Sequence, residues 1–465
     1  MSQPLQRIRR PLLLAGAAAL AVALAGCVGT PTVREAAIRE QHRAVAQVYR
    51  PAGQRPVLPI LAANSPLRDF LLFAMLNQPK VEAAYYDWAS SIERITRERS
   101  MPDPQFLFET DLAEAVSAVM PGLMQMFPGP GKLRLRADVA SAESQAKYFT
   151  FESAVLRTAF EVKRAYYQIY FLHERIQVNR ETLALLSQFE KLALAQTEVG
   201  KATLQDVLRA QIEQDRLATD IANLEDSRNP LRAQFKAALG LKVGEPDPPV
   251  PAKFESTALD LTSDQLLAAA FERNPRLKAM AADVQRAEAA LGLAYKARVP
   301  DYSAGLMLDV NAAPVMGRPL FGMTLPIWKD KIAAELAEAQ LNKQAAEARL
   351  TAEQIQLTVE FAEKSFAYRE ITRNLLLLRD KLIPKARQSL DIARAGYPTG
   401  QVNSFNLIDA ERTLLGFQLA DVEARTQREL VLTELSLTIL GTLPPNAPVL
   451  GATPAPASQP AKPKP

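Results

Sequence analysis

Two histidines, one cysteine and ten methionines bound the chemistry open to this 465-residue chain. His42 stands alone, and His173 falls on an apolar heptad track, which predicts a satisfied interior side chain rather than a ligand. With Cys27 the sole thiol, no His/Cys set at metal-ligand spacing exists. No nucleophile, base and orienter combine into a catalytic set, so no catalytic residue and no enzyme activity is expected. Seven methionines (Met101, Met120, Met124, Met126, Met307, Met316 and Met323) crowd into two short segments. Thioethers suit Cu(I) or Ag(I), but the expectation from residue type is lipid-facing or packed apolar filler. Among the carboxylates, Asp206 follows Gly200 and Asp409 follows Gly400. Thr203-Leu204-Gln205-Asp206 has the spacing of a capping box, which would start a helix; Asp409 has no such local use. Gly129-Pro130-Gly131-Lys132 is no phosphate loop, because Met126 stands where that pattern needs glycine and Leu133 where it needs Ser or Thr.

The cysteine closes a leader. Arg7, Arg9 and Arg10 precede an apolar run from Leu12 to Ala25 that is short for a bilayer span, the composition of an export signal. The run ends Leu24-Ala25-Gly26-Cys27, which resembles the lipobox of bacterial lipoproteins. Cleavage there would leave Cys27 to carry a covalent lipid, with no other cofactor expected, and Val28 in place of an aspartate resembles lipoproteins sent to the outer membrane. Stable anchoring usually takes a second attachment, so the remainder is expected to enter the membrane too. Without the leader's three arginines the net charge of +4 falls to +1, which excludes a nucleic-acid partner.

The chain reads as one unit written twice. Pro79 and Pro275 stand 196 apart, as do Pro104 and Pro300; Gly200 and Gly400 stand 200 apart, and Gly240 and Gly441 stand 201 apart. The expected layout is a signal peptide over 1–26, a lipidated segment over 27–63 and a first repeat over 64–241. A linker over 242–262 leads to a second repeat over 263–441, and a Pro/Ala-rich disordered tail over 442–465 closes the chain. Each repeat is read as helix, β-hairpin (104–128 or 300–326), long helix, turn and shorter helix. From Gly131 to about Val199 there is no proline, and Val155, Ala159, Val162, Tyr166, Ile169, His173 and Ile176 keep a heptad seam. About 68 residues at 1.5 Å each make a rod on the order of 100 Å. Its counterpart from Trp328 to about Ala395 contains Pro384, which should kink it. Asn229-Pro230 should break the helix after Gly200.

In the two hairpin segments the period drops to two, as with Tyr302, Ala304, Leu306 and Leu308. Four strands cannot close a barrel, and open edges do not survive in hydrocarbon, so the chain must oligomerise. Two copies or three would each give enough strands.

Asn274-Pro275-Arg276-Leu277, Arg298-Val299-Pro300-Asp301, Leu325-Pro326-Ile327-Trp328, and Gly400-Gln401-Val402 leading to Leu407-Ile408-Asp409-Ala410-Glu411 are similar to the TolC-type outer-membrane efflux factors. The similarity covers about 64 to 441. It implies a mainly α fold with a small β contribution: a homotrimer whose long antiparallel coiled-coil helices form an α-barrel and whose twelve strands, four per chain, form a β-barrel. It also implies passive export through an outer-membrane channel lying in outer-membrane lipid, supplied by a periplasmic adaptor and an inner-membrane transporter of RND type. Met126-Phe127-Pro128-Gly129-Pro130-Gly131-Lys132 resembles the heavy-metal branch, implying metal ions as cargo, with drugs or other small molecules as the alternative. By the same resemblance Gly200 and Gly400 are the periplasmic tip turns, and Asp206 and Asp409 are pore-constriction acids. Carboxylates gathered around a pore would bind cations and raise one another's pKa. Asn406 and Arg209 stand where partner carboxylates would complete a double acidic ring. The rival reading is a periplasmic adaptor or a structural coiled-coil lipoprotein.

Overall fold

The computed structural model of the chain describes residues 31–112, 116–250, 254–256 and 263–450. The leader, Cys27 and the last fifteen residues lie outside them. The chain divides into two compact units, the first comprising 1–44, 84–150 and 276–353 and the second 45–83, 151–275 and 354–465. The long helices pass from one to the other.

The first unit contains the strands. β1 (Gln105–Leu112), β2 (Val116–Phe127), β3 (Tyr302–Asp309) and β4 (Met316–Met323) form one antiparallel sheet in the order β1-β2-β3-β4, so the two hairpins are joined through β2 and β3. Register sorts the side chains. Phe106 pairs with Leu123, which pairs with Leu306, while Phe127 pairs with Tyr302 and Tyr302 with Met323. Those residues share one face with Phe108, Leu308 and Phe321, and all nine are exposed in the single chain, Phe321 at 83%. Gln105, Glu109, Ser303, Asp309 and Arg318 occupy the other face. A greasy face backed by a polar one follows directly from the period-two sequence.

Behind the strands, the notable sequence landmarks meet. Asp301 accepts from the backbone N–H of Gly129 at 2.6 Å and pairs with Lys132 Nζ at 2.8 Å. The Gly-Pro-Gly-Lys run is therefore a joint between the end of β2 and the start of β3. The same unit holds most of a helix not anticipated by the sequence reading, α1 (Val33–Tyr49). Its Glu35 is fully buried and takes Arg39 at 2.9 Å and Arg99 at 3.0 Å. His42, expected to stand alone, stacks on Tyr85 at 5.7 Å and meets Trp88 edge-on at 5.1 Å.

The remaining helices are α2 (Leu67–Asn77), α3 (Pro79–Arg99), α4 (Lys132–Glu198), α5 (Leu204–Asp226), α6 (Arg228–Ala238), α7 (Ser263–Arg273) and α8 (Pro275–Tyr295), then α9 (Lys329–Leu377), α10 (Ile383–Gly396) and α11 (Ser404–Thr433). α4 runs 67 residues without interruption. Its counterpart is broken where expected: a π turn over Leu378–Leu382 separates α9 from α10, immediately ahead of Pro384. The wider turn accommodates a ring that a regular turn would reject. The break near Asn229-Pro230 falls at Ser227, between α5 and α6.

In the second unit the seam of α4 is buried at Val155, Ala159, Val162, Tyr166 and Ile176. His173, expected in the interior, is instead exposed. At that turn burial falls on Phe171 and Leu172, and it returns to the seam at Ile176. The shorter helices are capped by one device used twice. The Gln78 amide donates to the carbonyls of Ala237 and Ala238 at the end of α6, and the Asn274 amide donates to Thr438 and Ile439 beyond α11. Each amide immediately precedes a repeat proline. The linker is tied down at 254–256, where Tyr167 Oη donates to the Glu255 carbonyl at 2.9 Å and the Glu255 N–H donates to Tyr166 Oη at 3.1 Å. The tail, expected disordered from 442, is described through Leu450, with Ala447 and Val449 buried. Among the described residues no helix is long and apolar enough to cross a membrane.

Candidate functional site at the turns of the long helices

The second unit brings Gly200 and Gly400 into one construction. At each turn glycine adopts a left-handed conformation, φ +74° and +77°. Gly200 N–H bonds to Thr197 O and Lys201 N–H to Gln196 O; Gly400 N–H bonds to Tyr397 O and Gln401 N–H to Gly396 O. This is the six-to-one, five-to-two closure of a Schellman cap, repeated 200 residues apart. Glycine takes it without the clash a Cβ would suffer.

Behind the turns, four helices share a core. Phe189 and Ala193 of α4, Val207 and Ala210 of α5, Ala386, Leu390 and Ala393 of α10, and Leu407, Ile408 and Leu414 of α11 are buried against one another, with Tyr397 among them. Small residues on all four helices let the axes approach closely. The ring of Tyr397 meets Phe189 edge-on at 5.0 Å, and its hydroxyl is buried without a hydrogen-bond partner. Burial, and then the nearby Asp206 charge, push the phenol's pKa up.

Asp206 does two things at once. Its Oδ2 accepts from the Thr203 N–H at 2.9 Å and from the Thr203 hydroxyl at 3.0 Å, starting α5 as the capping-box spacing predicts. Its Oδ1 accepts from the hydroxyl of Ser404, the first residue of α11, and so ties one turn to the other. Burial pushes the carboxyl up, but the bonds from Ser404 and Thr203 and the charge of Arg209 outweigh it, leaving Asp206 below its ordinary value. In the second turn the cap is reversed: Asn403 accepts from the Asn406 N–H at 2.9 Å.

Asp409 is exposed, in a groove with Arg209, Ile212, Glu213, Phe405 and Arg412. Within a single chain it does not meet Asp206 in any hydrogen bond or ion pair. Its groove neighbours are instead organised by a two-point ion pair, Arg412 to Glu213, which holds the Glu213 carboxyl below its ordinary value. Two residues after Asp409, Glu411 is largely buried; burial raises its pKa, and Arg394 at 3.4 Å opposes that. Ser404, Glu213, Arg412 and Tyr397 were not singled out from sequence. Only Asn403 and Ser404 carried a clue, standing at the offset of 200 from Thr203 and Leu204.

The arrangement contains no reacting constellation, and among the described residues no group of three or more His, Cys, Asp or Glu side chains could hold a metal. What it can do is reverse two long helices and present carboxylates and arginines beside the reversal. The family model for outer membrane efflux proteins matches residues 107–241 and 266–441, once over each repeat. The chain belongs to the outer membrane efflux protein family. Among relatives of the family it is similar to the cobalt-zinc-cadmium resistance protein CzcC of Cupriavidus metallidurans, 24% identical over 388 residues, which span 80% of this chain and 89% of that one. The outer membrane efflux protein BepC of Brucella suis is 26% identical over 305 residues, covering 62% of this chain and 65% of that one. In fold the chain is similar to the outer membrane protein VceC of Vibrio cholerae, with a TM-score of 0.67 at 16% identity over 81% of this chain and 95% of that one. This efflux protein is therefore a channel component and not an enzyme. The rival reading as an adaptor or a plain coiled-coil lipoprotein is set aside by the family match together with the amphipathic sheet.

Proposed function

We infer that three copies of this efflux protein close a twelve-stranded barrel in the outer membrane, and that their long helices form a periplasmic duct gated at the Gly200 and Gly400 turns. The single observation that carries this reading is the four-stranded sheet: apolar and exposed on one face, polar on the other, with β1 and β4 left as open edges. Because the strands alternate in direction, β1 of one copy meets β4 of the next antiparallel, and repetition seals the sheet without an edge. Cys27, acylated after removal of residues 1–26, supplies the second attachment to the membrane. The layout is that of two repeats, 64–241 and 263–441, joined by a linker over 242–262.

The duct conducts passively. It takes cargo from an inner-membrane transporter of RND type through a periplasmic adaptor, and Asp206 and Asp409 attract cations to the entrance. Metal ions are the favoured cargo; the likeness to a cobalt-zinc-cadmium resistance protein and the Met126–Lys132 run support this. Cysteines placed at Arg209 and Asn406 test the gate. Oxidation that cross-links copies at these positions is expected to abolish conductance in planar bilayers and export from cells, with both restored by reductant. Undiminished conductance in the cross-linked protein would put the entrance elsewhere.

A further inference from the structure

The register of the sheet separates two kinds of apolar side chain. The phenylalanines and the tyrosine, with Leu123, Leu306 and Leu308, lie on the exposed greasy face, with Met323 as its one methionine, while Leu107 and Leu320 lie on the other. Met120, Met124, Met126, Met307 and Met316 all lie on the opposite face, beside Gln105, Glu109, Ser303 and Asp309. Lipid-facing filler does not explain these five.

Their spacing is regular. Met126 pairs with Ser303, and Met124 with Gly305 on one side and Gln105 on the other. In the next row Gly122 faces Met307, and in the row after it Met120 faces Glu109. Four successive rows of the polar face thus carry a thioether each, at steps of about 7 Å. Met120 and Met307 touch across rows and are 5% and 4% exposed. Beyond them Met316 pairs with Asp309, whose carboxylate holds the one arginine of β4, Arg318, at 3.4 Å. Thioethers are soft, uncharged donors that select monovalent Cu(I) and Ag(I) over zinc or magnesium. A neutral donor binds weakly enough to release, as conduction through serial sites requires.

We propose that the polar face of this sheet is a thioether ladder that binds soft monovalent cations and passes them along the barrel interior. The inference rests on the barrel reading above, since that reading turns this face inward and sets three ladders around one lumen. The test uses the full-length oligomer in detergent and in planar bilayers with nitrate salts, which keep silver in solution. Wild type is expected to bind Ag(I), with X-ray absorption showing sulfur neighbours, and micromolar Ag(I) is expected to lower the potassium nitrate conductance. The variant Met120→Leu/Met124→Leu/Met126→Leu/Met307→Leu keeps side-chain volume and is expected to lose on the order of tenfold or more in apparent Ag(I) affinity. Met323→Leu on the greasy face is expected to change nothing. Should the fourfold variant fail to assemble, Met124→Leu/Met126→Leu gives the same comparison. Equal Ag(I) affinity in wild type and an inward variant that still conducts overturns the ladder alone. Failure of wild type to form an oligomer that inserts into lipid vesicles overturns the barrel reading instead.

Discussion

Asp206 carries a local duty and a distant one, and they separate experimentally. Thr203→Ala removes the hydroxyl's share of the helix-starting cap, leaves the backbone N–H bond to Asp206, and is expected to cost about 1 kcal/mol or less, read as a lower unfolding midpoint. Ser404→Ala removes only the link between turns. The carboxyl lies below its ordinary value, so its contribution is fully present above the usual aspartate pKa of 3.8 and is lost as pH falls through the depressed folded value. The stability gap between wild type and Asp206→Asn is therefore expected to be flat at neutral pH and to close only in acid. A gap that closes near pH 6 would mean that another group controls the turn. Gln78→Ala and Asn274→Ala each remove two bonds from a side-chain amide to helix-end carbonyls, at about 1–3 kcal/mol in all, with faster amide exchange at the ends of α6 and α11 respectively. The cap at Asp206 was legible because its partner lies three residues away. Ser404 and the Arg412–Glu213 pair were not, because their partners are about 200 residues distant and nothing in local spacing links them.

At the scale of the element, two glycines with the same backbone geometry should respond differently to the same substitution. Gly200→Ala places its methyl group in open space and bears only the left-handed strain, about 1 kcal/mol. Gly240→Ala adds a collision, since a Cβ there would lie 2.8 Å from Gln78 Cα and 2.9 Å from Asn77 O, both backbone atoms. It is expected to cost clearly more in denaturant midpoint, and equal costs would refute the close packing between α6 and the α2–α3 junction. Helix α4 could be read from its want of proline and its heptads, and the interruption before Pro384 from that single ring. Helix α1 escaped notice because its buried residues, Ile38, Val45 and Tyr49, are few and set in a polar sequence, and because its first-turn acid Glu35 is held by Arg99, far along the chain. His173 misled for the opposite reason: it stands on a seven-residue track that is buried on either side of it, at Tyr166 and Ile176, yet is itself exposed.

For the whole molecule, the sheet divides substitutions by face. Phe106→Arg or Phe321→Arg on the greasy face should cost about 2–4 kcal/mol near the bilayer midplane and remove the protein from heat-resistant outer-membrane oligomers. Ser303→Asp on the other face should leave those oligomers intact and shift ion selectivity in bilayers. If both faces tolerate charge equally, the strands do not meet lipid. The twofold writing of the chain and the strand count were legible, because proline and glycine landmarks recur at a fixed offset and the period drops to two in each hairpin segment. The copy number entered only through family resemblance, since two copies satisfy the strand arithmetic as well as three.

The open edges at β1 and β4 also set the genetics of this protein. On the three-copy reading every seam is made by two different polypeptides, so a lesion that spoils the outer edge of β4 damages its neighbour's β1 as surely as its own. In a cell expressing both alleles, most assemblies would include at least one defective member and leak or fail as a whole. Such mutations should behave as dominant poisons, whereas truncations that never reach the envelope should be silently recessive.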